Sequence, residues 1–379
     1  MTRIWFELLS PTTDSSQKSI GIDENFFHLG GHSLKATIMM SKIQNEMHVD
    51  VPLVEVFKRP TIRQLAEYIE KMTGQHAGIS VDNLIPLKKG ISNTRHLFFV
   101  HDGTGQVEGY LEFCSRLDNE FNCWGIRPDA IKNYTPQNIT IKEMAGKYIE
   151  KIKKVQPQGP YFIAGWSLGG TIAFEMVKQL EEAGEKTAFF SLFDSPGPGI
   201  HPGQDKGEFT LQSEINDVME YLPGVHISEI LEKVTELEEL WPAIVDYLKE
   251  KSVVAETIKK IIAEHGIPGF DYDKSGIEEL ILHLNMTRTL LKARDKYIPS
   301  GKVKAAVHYF EALASMEIIK QRWDEYCELS VEYHTIPGDH FSIFKMPDVE
   351  KFARVFQEVL SRRTHRLPPL PGKSMIGAW

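Results

Sequence analysis

The sequence predicts two domains of different class: a small all-α domain, followed by a larger α/β domain with a mostly parallel sheet and a long helical insertion. The chain has 379 residues, which exceeds what one hydrophobic core needs at roughly 100–200 residues per domain. In the first 72 residues, apolar side chains recur at helical spacing. From about residue 85, short apolar runs alternate with amphipathic segments, as strands and helices do in parallel α/β domains.

The predicted helical domain covers residues 1–72. Ile4, Leu8 and Leu9 form an apolar stripe, the segment 33–47 repeats the helical spacing, and Thr61 is placed to cap a last helix. Residues 73–84 are polar and contain glycine, so we predict a flexible linker there.

Residues 85–363 form the predicted α/β domain. The alternation stops at Phe209–Arg294, where the pattern is helical, so we predict a helical lid at about 200–296. Residues 364–379 have three prolines and no periodicity, which predicts a mobile tail. The predicted strands are 96–100, 121–126, 161–166, 188–193, 303–310 and 329–336, and the predicted helices are 139–155, 168–183 and 349–360.

Composition excludes several classes of function. The net charge of −9 argues against nucleic acid or an anionic membrane as the main partner. Three cysteines without a CxxC pair predict neither a disulfide framework nor a metal site. The first ten residues lack the apolar run of a signal peptide, and no apolar stretch is long enough to span a membrane, so we expect a cytoplasmic protein.

The segment Phe26-Phe-His-Leu-Gly-Gly-His-Ser33-Leu34 is the first motif with chemical content. A glycine pair before a serine is also an ordinary helix entry, with Ser33 as the N-cap. Here the two phenylalanines would anchor the loop in the core, and Ser33 would begin a helix, where the dipole favours an attached phosphate.

This segment resembles the attachment motif of peptidyl carrier domains of nonribosomal peptide synthetases. The resemblance implies a four-helix bundle and a 4′-phosphopantetheine joined covalently to Ser33. It also implies three partners: a phosphopantetheinyl transferase and the upstream condensation and adenylation domains.

A second motif, Gly165-Trp-Ser167-Leu-Gly-Gly170, follows a predicted strand and opens a predicted helix. That order is the nucleophile elbow, in which a strained turn exposes the serine above a sheet. The backbone N–H of Leu168, the next residue, is then one expected oxyanion donor.

A serine nucleophile needs a base and an orienting acid. His340 is the predicted base because it lies after the last strand and before the closing helix; His308 and His334 are interpreted as surface residues. Two acids end successive strands, Asp194 and Glu311, and the chemistry alone leaves both open. Asp339 is adjacent to His340, and we interpret it as a residue that shapes the loop around the base.

These blocks together resemble type I thioesterases of nonribosomal peptide synthetases. The resemblance implies an α/β-hydrolase domain, Asp194 as the acid, and the Gly103 N–H as a second oxyanion donor. The implied function is chain release: the carrier presents a peptidyl or acyl thioester, and Ser167 accepts the chain and releases it by macrocyclisation or hydrolysis. A stand-alone serine esterase or lipase with a helical appendage is the alternative, and a non-enzymatic scaffold is the third hypothesis.

Overall fold

The chain folds into two compact units, residues 1–80 and residues 81–379. In the computed structural model the larger unit is an α/β domain, and the smaller one is helical. The structure describes residues 2–9, 20–31, 35–36, 39–40, 42–43, 51, 54–75, 83–91, 95–197, 207–222, 225–251, 277–315 and 323–364. Ser33 and the predicted tail after 364 lie outside these residues.

The described part of the smaller unit contains helices α1 (Thr2–Leu9), α2 (Val54–Lys58) and α3 (Ile62–Gln75). Thr61 caps α3 as predicted, since its Oγ1 accepts a hydrogen bond from the Gln64 N–H at 3.2 Å. Phe26 is fully buried and packs edge-on against Trp5, with 5.1 Å between ring centroids. The loop before the predicted attachment serine is therefore anchored in the core, as the sequence indicates.

The larger unit is organised around a mostly parallel seven-stranded sheet with strand order β1-β3-β2-β4-β5-β6-β7. Only β1 is antiparallel to its neighbour; the other five pairings are parallel. The central strands read as uninterrupted apolar runs because helices cover both faces of the sheet. The strands are β1 (Leu84–Lys88), β2 (His96–Val100), β3 (Asn122–Ile126), β4 (Tyr161–Trp166), β5 (Thr187–Phe193), β6 (Val307–Ala312) and β7 (Glu332–Ile336).

Four helices pack against the sheet, two on each face. Helix α5 (Ile141–Val155) and helix α6 (Leu168–Glu182) share one core, and α4 (Tyr110–Arg116) and α11 (Asp348–Thr364) share the other. A capping box between Thr140 and Glu143 begins α5.

Neither β1 nor α4 is predicted from the sequence. Pro86 lies inside β1, and proline argues against a central strand but is tolerated at an edge, where β1 lies. Helix α4 is seven residues long and has no side-chain cap at its start, so no boundary signal marks it.

The described part of the segment between β5 and β6 contains four helices, in agreement with the helical pattern of the sequence over 209–294. Its helices are α7 (Leu211–Tyr221), α8 (Ile227–Leu231), α9 (Leu237–Lys251) and α10 (Ile277–Asp295). They have a core of their own, in which the Arg288 guanidinium and the Trp241 indole donate to the buried Glu214 carboxylate. Of the helices described in either unit, none has both the length and the apolar content to cross a membrane.

Gly169 gives a test of the close packing between α6 and β2. A Cβ there would lie 2.3 Å from the His101 carbonyl oxygen and 2.6 Å from that of Val100. We expect Gly169→Ala to lower the free energy of unfolding by about 1–3 kcal/mol, as overpacked cores do. Urea denaturation measures this.

Gly146, inside α5, provides the matched control. Its added Cβ would meet nothing closer than Gln179 Oε1 at 3.6 Å. Gly146→Ala should therefore stabilise the chain by about 0.5–1 kcal/mol, through helix propensity alone. Equal effects of the two substitutions would contradict the packing argument.

Candidate active site

Ser167 lies in the turn between β4 and α6, with backbone angles φ 54° and ψ −127°. A non-glycine residue with positive φ stores about 1–3 kcal/mol of strain, and such strain is typical of functional turns. The turn can close because its neighbours lack side chains: a Cβ on Gly165 would lie 2.2 Å from the Gly169 carbonyl oxygen. The Ser167 N–H donates to Phe193 O at 3.1 Å, which ties the turn to β5.

Ser167, His340 and Asp194 form one hydrogen-bonded series. His340 Nε2 lies 3.0 Å from Ser167 Oγ, and His340 Nδ1 lies 2.8 Å from Asp194 Oδ2. Asp194 is fully buried and His340 nearly so. Because a carboxylate only accepts, the imidazole proton is on Nδ1, and Nε2 is left to accept the serine proton.

Asp194 follows β5, at the end of the sheet where Ser167 also lies. Its backbone has φ 41°, and its N–H donates to Phe310 O at 2.8 Å. The side chain accepts from the Ala312 N–H at 2.9 Å and from Ser315 Oγ at 3.0 Å in addition to His340. The buried carboxylate is thus held on three sides.

Glu311, the other candidate acid, is not part of this series. It lies within β6, and in the described part of the chain its carboxylate makes no hydrogen bond to His340. Asp339 shapes the loop, since its Oδ1 accepts from the Phe341 and Ser342 N–H groups at 2.8 and 2.9 Å.

The sequence does not predict a role at the site for three groups that lie there. Ser315 supports Asp194, and the Tyr110 hydroxyl joins β2 to the elbow by donating to Val100 O and accepting from the Trp166 N–H. The Trp166 ring packs against the His340 imidazole, with 5.4 Å between ring centroids. Long-range contacts position all three, and no local motif encodes such contacts.

Gly103 and Leu168 are neighbours, as the two expected oxyanion donors must be. A Cβ built on Gly103 would lie 3.9 Å from the Leu168 Cβ. Leu168 is the first residue of α6, where backbone N–H groups have no acceptor within the helix. Two donors to one oxyanion require this proximity, and the donor roles of Gly103 and Leu168 stay predictions.

His308 is buried on β6, which corrects the expectation that it is a surface residue; His334 is half-buried. The strand is an inner one covered by helices, so a histidine there is enclosed. Burial lowers the pKa of His308 to about 4 and also lowers that of His334.

The ligand atoms of His308, Glu332 and His334 lie within 4.8 Å of one another. Among the described residues, these three side chains are the group close enough to bind one metal ion. Arg363 donates through Nε to His308 Nε2 at 3.2 Å and through Nη2 to Glu332 Oε1 at 2.8 Å. Because a guanidinium only donates, the His308 proton is on Nδ1, the atom that faces the other two side chains. A protonated nitrogen cannot bind a metal, so this grouping is a hydrogen-bonded network.

The curated proteins similar to this chain include synthetases. Atromentin synthetase of Tapinella panuoides is 26% identical over 353 residues, which cover 90% of this chain and 35% of that protein. The dimodular nonribosomal peptide synthase of Bacillus subtilis (strain 168) is 35% identical over 176 residues, covering 46% of this chain and 7% of that protein. The chain thus spans about a third of the length of the first relative and less of the second.

A solved four-domain nonribosomal peptide synthetase, in its holo form with AMP and glycine, has a similar fold. The likeness has a TM-score of 0.55 at 21% identity and covers 97% of this chain and 26% of that one. Two family models match in succession, "Phosphopantetheine attachment site" over residues 7–69 and "Thioesterase domain" over residues 95–360. Because the thioesterase match covers well over half of the 379 residues, this chain belongs to the thioesterase domain family, and a phosphopantetheine attachment domain precedes its thioesterase domain.

Proposed function

We propose that this chain releases the finished product of a nonribosomal peptide synthetase. The carrier holds a peptidyl thioester on the phosphopantetheine of Ser33, and Ser167 accepts the chain as an ester. The observation that carries this proposal is the Ser167–His340–Asp194 series, in a chain that also has a phosphopantetheine attachment domain. The curated relatives, which are synthetases, support it.

In the proposed mechanism, Ser167 Oγ attacks the thioester carbonyl carbon while His340 Nε2 takes the serine proton. The N–H groups of Gly103 and Leu168 bind the oxyanion of the tetrahedral intermediate. Collapse of the intermediate breaks the C–S bond, and His340 gives the proton to the departing sulfur, so that the phosphopantetheine leaves as a thiol. Asp194 keeps the imidazole in the required tautomer and stabilises its charged form.

The second half of the reaction decides the product. His340 deprotonates either water or a hydroxyl or amine of the bound chain, and that nucleophile attacks the carbonyl carbon of the Ser167 ester. Collapse of this second intermediate breaks the bond between the acyl carbon and Ser167 Oγ, and His340 returns the proton to Oγ. We propose macrocyclisation as the route, with the insertion between β5 and β6 as a lid. Helix α10 supports the role of the insertion as a lid, because its Leu291 side chain lies beside the loop that contains Gly103. Leu291 Cδ2 would be 3.6 Å from a Cβ built on Gly103. An apolar cover restricts water, and a held internal nucleophile reaches an effective molarity of about 10⁵ M or more.

We further propose that the attachment domain is a four-helix bundle formed by residues 1–72. Residues 73–84 are the proposed linker to the thioesterase domain. The partners are a phosphopantetheinyl transferase and upstream condensation and adenylation domains, and we propose the cytoplasm as the location. The alternative, a stand-alone esterase or lipase, leaves the attachment domain without a purpose.

Loading of the carrier tests the first step. Incubation with coenzyme A and a phosphopantetheinyl transferase should add one phosphopantetheine to the chain, and Ser33→Ala should abolish this addition. Intact-protein mass spectrometry gives the readout. Attachment at a different serine would overturn the carrier assignment.

Substitutions at the two candidate acids test the series. Asp194→Asn should lower turnover of a peptidyl thioester by about 10⁴, because the amide favours the wrong imidazole tautomer. Glu311→Gln is the matched control and should leave turnover near that of the unchanged chain. Ser167→Ala should leave the acyl chain on the carrier thiol. If the Glu311 change disables the enzyme and the Asp194 change is mild, the acid is Glu311.

Product mass tests the route of release. A synthetic peptidyl thioester matched to the native chain should yield a cycle, one water lighter than the linear acid. Leu291→Ala should shift the products toward the acid by admitting water, whereas Ile298→Ala, at an exposed position after α10, should not. Exclusive formation of the acid by the unchanged chain would reject macrocyclisation.

A further inference from the structure

The loop that follows β2, residues 101–106, contains polar side chains to which the proposed mechanism gives no role. His101 is fully buried, and Asp102 is half-buried at the edge of the site. Both precede Gly103, the proposed second oxyanion donor. The Asp102 carboxylate is bonded within the loop, and the His101 imidazole joins the loop to Tyr148 of α5.

Asp102 closes the loop through its carboxylate. Its Oδ1 accepts from the Thr104 N–H at 2.8 Å, the Thr104 hydroxyl at 2.6 Å and the Gln106 N–H at 3.3 Å. The backbone adds two bonds, from the Asp102 N–H to Gln106 O and from the Gly105 N–H to Asp102 O. Burial is the largest effect on the Asp102 carboxyl and raises its pKa, while the bonds from Thr104 and Gln106 oppose this rise.

These bonds use the loop donors selectively. The N–H groups of residues 102, 104, 105 and 106 all donate within the loop. The His101 N–H donates to Ile126 O of β3, whereas the Gly103 N–H has no acceptor among the residues that the structure describes. The side chain of Asp102 therefore occupies the neighbouring donors and leaves one backbone N–H available beside Leu168.

His101, at the start of the loop, links the loop backbone to helix α5 in the buried interior of the domain. Its Nδ1 donates to Asp102 O at 2.7 Å, because a carbonyl oxygen can only accept. Its Nε2 then accepts from the Tyr148 hydroxyl of α5, also at 2.7 Å. Burial lowers the pKa of His101 to about 4, so the imidazole is neutral and this direction of bonding persists at neutral pH.

We propose that two positioning residues aim the Gly103 N–H at the oxyanion: Asp102, and His101, which is held by Tyr148. The inference rests on the proposed function, since it requires an oxyanion formed by attack of Ser167. Asp102 acts as a hydrogen-bond acceptor and not through its charge. An acceptor of the same shape must therefore be able to replace it.

The experiment compares variants of the full chain with a peptidyl N-acetylcysteamine thioester as substrate. Asp102→Ala should lower kcat by about 10²–10³, the loss expected when one oxyanion donor is misplaced, with KM little changed. Asp102→Asn should restore most of the rate, because the amide oxygen accepts the same three hydrogen bonds. Tyr148→Phe should lower kcat by about tenfold, as one supporting hydrogen bond is lost.

Tyr161→Phe is the matched control for Tyr148→Phe. It also removes a buried tyrosine hydroxyl that is hydrogen-bonded, here to Gln156 O at 3.1 Å, but at the opposite end of the sheet. Affinity for a trifluoromethyl ketone, which forms an anionic adduct with an active-site serine, gives a second readout. Its Kd should rise by the same factor by which kcat falls, a match that general destabilisation does not produce.

The outcomes separate this inference from the proposed function. If Ser167→Ala abolishes turnover while Asp102→Ala and Tyr148→Phe turn over normally, only the positioning role is overturned. If Asp102→Asn is as slow as Asp102→Ala, the charge matters and the acceptor role is wrong. If Ser167→Ala retains full turnover, the proposed function itself fails.

Discussion

The positive φ of Ser167 is the constraint on which the rest of the site depends. A serine in that conformation points out of the sheet only if the chain on both sides can approach closely, which requires glycine at 165 and 169. The same approach brings the start of α6 against the carbonyl groups at the end of β2. The loop of residues 101–106 and Ser167 are therefore placed relative to each other by one packing contact, and strain at the serine is offset by the surrounding core.

The second requirement is a buried carboxylate that remains an acceptor. Asp194 is separated from His340 by 146 residues and meets it because parallel strands end at the same edge of the sheet. Donors from Ala312 and Ser315 satisfy the carboxylate from the β6 side. A buried charge without such donors would be costly, so β6 and its following loop contribute to the site although neither supplies a member of the series.

The described helices of the insertion between β5 and β6 pack on one another around a core of their own. Arg288 on α10 joins Glu214 and Asp217 on α7, and the aromatic rings of Phe209 and Trp241 lie beside its guanidinium. The same helix reaches the loop of residues 101–106 through Met286 and Leu291. A substitution in the insertion core can thus alter the surroundings of Ser167 without touching it.

The sequence by itself determined what local patterns encode. The apolar runs of β2, β4 and β5, the elbow around Ser167, the position of His340 between the last strand and helix, and the helical character of the insertion all follow from spacing of neighbouring residues. Only the tertiary structure decided what depends on distant contacts. It joined Asp194, and not Glu311, to His340, it buried His308, and it supplied Ser315, Tyr110 and Trp166 as neighbours of the site. The physical reason is that periodicity reports which face of an element is apolar, whereas the partner of a buried polar group is fixed by strand order and loop geometry, which bring together residues far apart in the chain.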